Sequence, residues 1–260
     1  MKKKLKVVGY ILLSAAVVCV AVGIFQYVQE RKARERYEEL RQEVKNTQSE
    51  KEAEPTPEVQ VTEAPQTPEI PIDFAALQQV NPDVYAWITI PGTAIDYPVL
   101  QHPEDNSYYL NHTIDNKESP EGAIYTESYN SKDFQDANTV IYGHDMKDGS
   151  MFQNLLLYQD RSFFEANRTV WIYTPDAIRQ YKIFAAYVYD NRHLLQSFDF
   201  SDERVFGNYL EGIFSMRSME ACIDTSMEVG SENQIITLST CCGDKNYRYL
   251  VQAVLVSIEQ

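Results

Sequence analysis

A mostly-β domain of about eight short strands, arranged as a barrel or a sandwich, is the fold class this sequence predicts. Three observations carry the prediction. Short β-branched and aromatic runs recur at residues 87–90, 95–100, 122–125, 139–142, 169–173 and 180–189, and two more, 235–241 and 247–258, flank a loop at a pair of cysteines. Turn clusters such as Pro91-Gly92, Thr174-Pro175-Asp176 and Gly243-Asp244-Lys245-Asn246 separate the runs. Only two stretches between them, 151–165 and 201–217, place apolar residues at helical spacing. No internal repeat is present.

Charge divides the chain before any element is considered. The formal net charge is −15, which argues against nucleic acid as a partner because a phosphate backbone is bound through excess Lys and Arg. Eight of the 23 basic residues fall in the first 36 positions, with only Glu30 and Glu35 opposing them. The remainder holds 15 basic against 36 acidic residues, a net −21. A basic anchor followed by an acidic outer domain is the simplest reading.

Residues 1–6, with Lys2, Lys3, Lys4 and Lys6, read as a cytoplasmic N-terminus. Residues 7–28 contain no charge and are long enough to cross a hydrocarbon core of about 30 Å. Basic residues also follow this run (Arg31, Lys32, Arg34, Arg36), so the flanking asymmetry is incomplete. A cleaved signal peptide is the alternative. Cys19 follows Ala16-Val17-Val18 rather than the small residue that lipoprotein processing wants, and the reading is an uncleaved transmembrane helix with its N-terminus inside. The protein is thus expected in the cell membrane as a single-pass chain, its folded domain outside.

Residues 29–72 read as a helical stalk and a proline-rich spacer. The first part is rich in Glu, Lys, Arg and Gln, and Tyr37, Leu40 and Val44 make one apolar stripe too short for a coiled coil, so a solvated helix is expected. Pro55, Pro57, Pro65, Pro68 and Pro71 follow among Glu, Thr and Gln, a composition unable to bury a core. The folded domain is read as 73–260. Asp73 caps a short helix with Phe74, Leu77 and Val80 on one face, and Asn81-Pro82 offers a cap and a first-turn proline for another. Ser201 is read as the cap of the longer helix at 201–217, with Val205, Tyr209 and Phe214 along one side.

The candidate chemistry lies in the last hairpin. Thr237-Leu238-Ser239-Thr240-Cys241 ends one strand, and Arg248 opens the next after a short loop that returns the chain. A thiol and a guanidinium come within side-chain reach, a nucleophile with a cation beside it. Four histidines are available as a base. His144 follows the apolar run of Asn138-Thr139-Val140-Ile141-Tyr142-Gly143 and so stands at a strand end, whereas His102, His112 and His193 lie in loop-like surroundings. Structural metal is disfavoured, since Cys241 and Cys242 are adjacent and the histidines scattered, without ligand-pair spacing. Cys222, Cys241 and Cys242 are an odd number. Cys222 reads as a small buried hydrophobe, with a Cys222–Cys242 bridge as the lesser alternative. Spacing alone leaves Cys241 and Cys242 even as nucleophile, because successive strand residues face opposite ways. It also favours a plain solvated arginine at 248.

Thr237-Leu238-Ser239-Thr240-Cys241 with the downstream Arg248, and Tyr142-Gly143-His144-Asp145-Met146 upstream, resemble a sortase of class B. The likeness extends to Asn81-Pro82-Asp83-Val84-Tyr85-Ala86-Trp87-Ile88, Thr93-Ala94-Ile95-Asp96-Tyr97-Pro98-Val99 and Asp105-Asn106-Ser107-Tyr108-Tyr109-Leu110, covering about residues 73–258. Two positions depart: Asp145 stands where Asn is usual after the histidine motif, and Glu127 ends Tyr125-Thr126-Glu127 where Asp is common.

The resemblance implies a closed eight-stranded sortase barrel with N-terminal helices and a helix inserted before the cysteine strand. It implies a membrane-anchored cysteine transpeptidase that needs no cofactor, with Cys241 as nucleophile, His144 as acid–base and Arg248 as donor to the substrate carbonyl. It implies Asn106, Leu110 and Ser239 as contacts for the sorting peptide. The expected partners are secreted proteins bearing a C-terminal sorting signal and an amine on a peptidoglycan precursor or a pilin. A hydrolytic cysteine protease using the same residues, and an inert membrane-tethered binding module, are the alternatives.

Overall fold

In the computed structural model, residues 16–24, 28, 31–32, 34–44 and 69–260 are described. Nine strands follow one another among them: β1 Val84–Thr89, β2 Asp96–Leu100, β3 Ile124–Thr126, β4 Asn138–Tyr142, β5 Thr169–Thr174, β6 Ala177–Asp190, β7 Cys222–Ile223, β8 Ile235–Cys241 and β9 Tyr247–Glu259. Their order is β5-β1-β2-β3-β4-β8-β9-β6, and β6 pairs back onto β5, so eight strands close a ring. The two-residue β7 is an outer addition along β6. Closure removes the free sheet edges that an open sheet would leave. The barrel is mixed, since β2–β3 and β4–β8 are parallel and the other pairs antiparallel.

Alternation along the strands makes two cores. Ile124, Ile141, Ile236, Leu238, Tyr249 and Val251 fill the barrel interior. On the outside, Val140, Phe184, Ile235, Leu250 and Val254 are covered by Phe206, Tyr209, Leu210 and Ile213. Those four belong to the inserted helix, which is α5 in a series of α1 (34–44), α2 Phe74–Val80, α3 Arg161–Ala166, α4 Leu194–Ser197 and α5 Glu203–Phe214. Beneath α5 a buried polar chain ties four strands together. Gln252 Nε2 donates to Tyr209 Oη (2.7 Å) and Thr237 Oγ1 (2.9 Å), and Thr237 Oγ1 donates to Asn138 Oδ1 (2.8 Å). Tyr187 Oη donates to Gln252 Oε1 at 3.2 Å. Each of these bonds pairs a polar group removed from water, which is the condition for burying it.

Several expected details are corrected. Asn81-Pro82 opens no helix, because the Asn81 side chain is buried, donating to Tyr109 Oη (3.0 Å) and the Ile114 carbonyl (2.9 Å), while its backbone amide ends α2 on the Leu77 carbonyl (2.9 Å). Asp202, not Ser201, caps α5, accepting from the amides of Arg204 and Val205, while Ser201 Oγ donates to Asp199. The helix expected at 151–165 is two pieces, a 3₁₀ segment Gln153–Gln159 and then α3, parted where Asp160 turns extended and caps the second. The Asp73 cap stands, accepting from the Ala76 amide at 3.0 Å.

The larger correction concerns α1. A solvated helix would leave Tyr37, Leu40 and Val44 in water, yet they are 4%, 1% and 2% exposed and join the barrel core. The Tyr37 ring meets the Tyr97 ring edge-on at 5.3 Å. Arg41 Nε donates to the Asp96 carbonyl at 2.7 Å, and its guanidinium lies 4.6 Å from the Tyr97 ring centroid. The short stripe docks on the domain rather than on a second helix. Residues 1–15, 25–27, 29–30, 33 and 45–68, with most of the expected anchor and spacer, lie outside the described residues. Among the described ones, no helix is long and apolar enough to cross a membrane.

If α1 is part of the core, Leu40→Ala should lower the unfolding free energy of the full chain by about 2–4 kcal/mol in chemical denaturation. A change within about 0.5 kcal/mol would return residues 34–44 to a solvated stalk.

Candidate active site

Three neighbouring strands set the site by register alone. In the parallel β4–β8 pair Tyr142 lies opposite Ser239. His144 follows the end of β4 by two residues as Cys241 follows Ser239 by two on β8, and the Gly143 amide donates to the Ser239 carbonyl (3.1 Å) at the point where the pairing ends. In the antiparallel β8–β9 pair Cys241 lies directly opposite Arg248. Adjacent strands are ~4.8 Å apart, so Cys241 and Arg248 leave neighbouring strands at one end of the barrel, where the loop carrying His144 follows β4.

Alternation on β8 distinguishes the two thiols that spacing leaves even. Ile236 and Leu238 point into the barrel core, so Thr237, Ser239 and Cys241 take the opposite face. Cys242 packs against the interior cluster, and loss of water there pushes its thiol pKa up. Cys222 is a buried free thiol, 5% exposed, likewise raised chiefly by burial. Cys241 is half-buried and its backbone is paired with that of Arg248.

His144 is held from two directions. Its Nε2 lies 2.7 Å from the Leu110 carbonyl oxygen. A carbonyl only accepts, so Nε2 carries the hydrogen and Nδ1 is left to exchange a proton. The His144 carbonyl in turn accepts from the Phe152 amide at 2.9 Å. Gly143 lies against Phe152 and Ile124, and a Cβ there would come within 2.7 Å of their side chains. The glycine before the histidine is thus required by close packing. Asp145 is half-buried, and desolvation lifts its carboxyl above the ordinary range.

Arg248 spends only one nitrogen on structure: Nη1 donates to the carbonyls of Tyr247 (2.9 Å) and Lys245 (3.2 Å). Among the described residues it has no carboxylate partner, so much of the guanidinium fork remains for a ligand.

The other three histidines are occupied. His102 Nδ1 accepts from the amides of Glu104 (3.2 Å) and Asp105 (2.9 Å). Tyr108 is stacked between His102 and His112, with ring centroids 4.4 and 4.0 Å away. His193 Nε2 lies 2.7 Å from Glu127 Oε2.

The three residues read as peptide contacts surround this site in different ways. Leu110 is 47% exposed although large and apolar, and its carbonyl orients His144. Ser239 is buried two residues before Cys241 on the same face of β8. Asn106 Oδ1 accepts from the Ser128 amide (2.8 Å), which places it beside Glu127 rather than against the thiol. Sequence reasoning misses the wall between them. Tyr125 and Tyr142 stack across β3 and β4 at 5.4 Å, and Tyr142 Oη donates to Glu127 Oε2 (3.1 Å). Burial raises the Tyr125 phenol, with the Glu127 charge adding to the rise and Arg248 opposing it. Tyr125 and Glu127 are visible in the sequence only as a departure from a pattern, and no spacing ties them to a cysteine more than a hundred residues on.

Brief alkylation at pH 7.5, followed by peptide mapping, should label Cys241 well before Cys222 and Cys242, whose raised pKa values keep them as thiols. Equal or earlier labelling of Cys242 would place the accessible thiol on the other face of β8.

The family model of the sortase domain matches residues 88–256. The chain is 35% identical over 192 residues to sortase B of Listeria monocytogenes, covering 73% of this chain and 76% of that one. It is 27% identical over 242 residues to sortase B of Staphylococcus aureus, covering 93% and 91%. A solved S. aureus sortase B–substrate complex superposes with a TM-score of 0.71 at 24% identity, covering 88% of this chain and 99% of that one, a likeness of fold. With the closed barrel already described, these relationships show that the chain belongs to class B of the sortase family, the cysteine transpeptidases.

Proposed function

We propose that this sortase cleaves a C-terminal sorting signal after threonine in exported proteins and passes the acyl group to an amine of a peptidoglycan precursor or a pilin. The observation that supports the reading is the pairing of Cys241 with Arg248 across β8 and β9, with His144 two residues beyond the end of the neighbouring β4. Nδ1 of His144 takes the Cys241 thiol proton, the thiolate so formed adds to the threonine carbonyl carbon, and the developing oxyanion takes hydrogen bonds from the free part of the Arg248 fork. The C–N bond breaks as His144 gives a proton to the departing amine, leaving a thioester on Cys241. An incoming amine then attacks that thioester and gives its proton to His144, and the Cys241 sulfur leaves as a thiolate that takes the proton back from His144 Nδ1. The free Nδ1 is the nitrogen suited to these transfers, since Nε2 is held by Leu110. Exposed Leu110, with Ser239 and Asn106, offers the apolar and polar contacts an extended peptide needs. A sortase B at 25% identity is complexed with triglycine, a short peptide amine, which supports an amine as acceptor here.

The uncharged run at 7–28 and its lysine-rich start support a single-pass anchor with the N-terminus inside and the catalytic domain outside. An exported substrate and a lipid-linked acceptor meet at that surface.

His144→Ala and Arg248→Ala should each lower turnover of a threonine-containing sorting peptide by about a hundredfold or more, and His102→Ala far less. Normal turnover by a folded Arg248→Ala would return Arg248 to the solvated-edge role. Adding hydroxylamine should raise total turnover and give a hydroxamate product, because release of the acyl group limits the rate. Free acid as the sole product across a range of amines would instead identify a protease.

A further inference from the structure

The carbonyl that orients His144 packs closely against a second glycine. Leu110 closes the 3₁₀ turn Tyr108–Leu110, and Gly122 lies directly against it. Gly122 has φ +55°, a left-handed conformation that disfavours a side chain. A Cβ there would come 2.3 Å from the Tyr109 oxygen and 2.7 Å from the Leu110 oxygen, both backbone atoms. The Ala123 amide fastens the same turn, donating to the Tyr109 carbonyl at 3.0 Å.

Tyr37 of α1 reaches both supports of the histidine. Its hydroxyl donates to the Gly122 carbonyl at 3.4 Å. Its ring meets Tyr97 edge-on, and the Tyr97 hydroxyl accepts from the Met151 amide at 3.0 Å. Met151 pairs with Asp145, and the next amide, Phe152, donates to the His144 carbonyl. One side chain on the N-terminal helix therefore touches the residue behind the Leu110 carbonyl and, through Tyr97, the residue that closes the His144 loop.

We infer that Gly122 and Tyr37 are positioning residues for His144, so that seating α1 on the barrel sets the orientation and tautomer of the imidazole. The inference rests on His144 as the acid–base, but the arrangement it describes is readable without turnover. A histidine held by Nε2–H···O=C is fixed as one neutral tautomer. Release of the carbonyl frees the ring to rotate and to populate the other. Misplacement of about 1 Å at a reacting group can cost a hundredfold in rate, and it does so without weakening peptide binding elsewhere in the groove.

The test uses the full chain in detergent micelles, labelled with ¹⁵N-histidine, the His144 signals being assigned by their loss in His144→Ala. The wild type should show the Nε2–H tautomer alone. Gly122→Ala should show mixed tautomers and a kcat at least roughly tenfold lower with a near-constant KM. Tyr37→Ala should move both readouts in the same direction to a smaller extent, and Tyr37→Phe, which keeps the ring, should restore most of the wild-type spectrum. A folded Gly122→Ala with wild-type His144 signals would overturn the inference. If Gly122→Ala does not fold, Tyr37→Ala decides alone, and unchanged signals there overturn it. Failure of the acid–base reading is a separate outcome, visible as full activity in His144→Ala.

Discussion

The site depends on the register of β8 between a parallel neighbour and an antiparallel one. Pairing Tyr142 with Ser239 on one side and Arg248 with Cys241 on the other sets Cys241 against Arg248 and brings the end of β4, from which the His144 loop leaves, alongside β8. A slip of one residue would turn Cys241 into the barrel and Cys242 out of it, since side chains alternate across a strand. Two features oppose such a slip. Leu238 and Ile236 need the interior, and Thr237 is fixed by its bonds with Asn138 and Gln252. The polar chain under α5 therefore does more than satisfy buried groups. It couples α5 to the strand pairings that set Cys241 against Arg248 and bring the His144 loop alongside.

The same arrangement explains how a half-exposed site can be orderly. The thiol sits at a strand end, the histidine begins a loop, and the arginine follows a tight turn. Such positions are mobile unless tied. Here Leu110 binds the imidazole, Phe152 binds its backbone, and Gly143 and Gly122 let neighbouring groups approach closely enough for those contacts to form. Missing side chains at two glycines matter as much as the side chains that are present.

Strands are legible in the sequence because β-branched runs and turn clusters mark them locally. β6 and β9 match their runs except at the ends, where β6 starts three residues earlier at Ala177. Local signals do not carry closure, nor the parallel β4–β8 pairing across almost a hundred residues. Asn81 misleads because its side chain is drawn to Tyr109 and Ile114, partners about thirty residues away. Tyr37, Leu40 and Val44 mislead because a short stripe among charges looks the same whether it meets solvent or a domain. Cys241 and Cys242 are undecidable by spacing, and only the packing of Cys242 against the interior separates them. The His144 tautomer is invisible altogether, since it depends on a backbone carbonyl.

The central claim is that the acyl group passes through Cys241. Intact-protein mass spectrometry, after brief mixing with a threonine-containing sorting peptide and an acid quench, tests it directly. The account predicts an added mass equal to the peptide fragment ending in threonine, mapped to Cys241 and removed when an amine is supplied. Peptide cleavage with no such adduct, or with the adduct on Cys242, would contradict it.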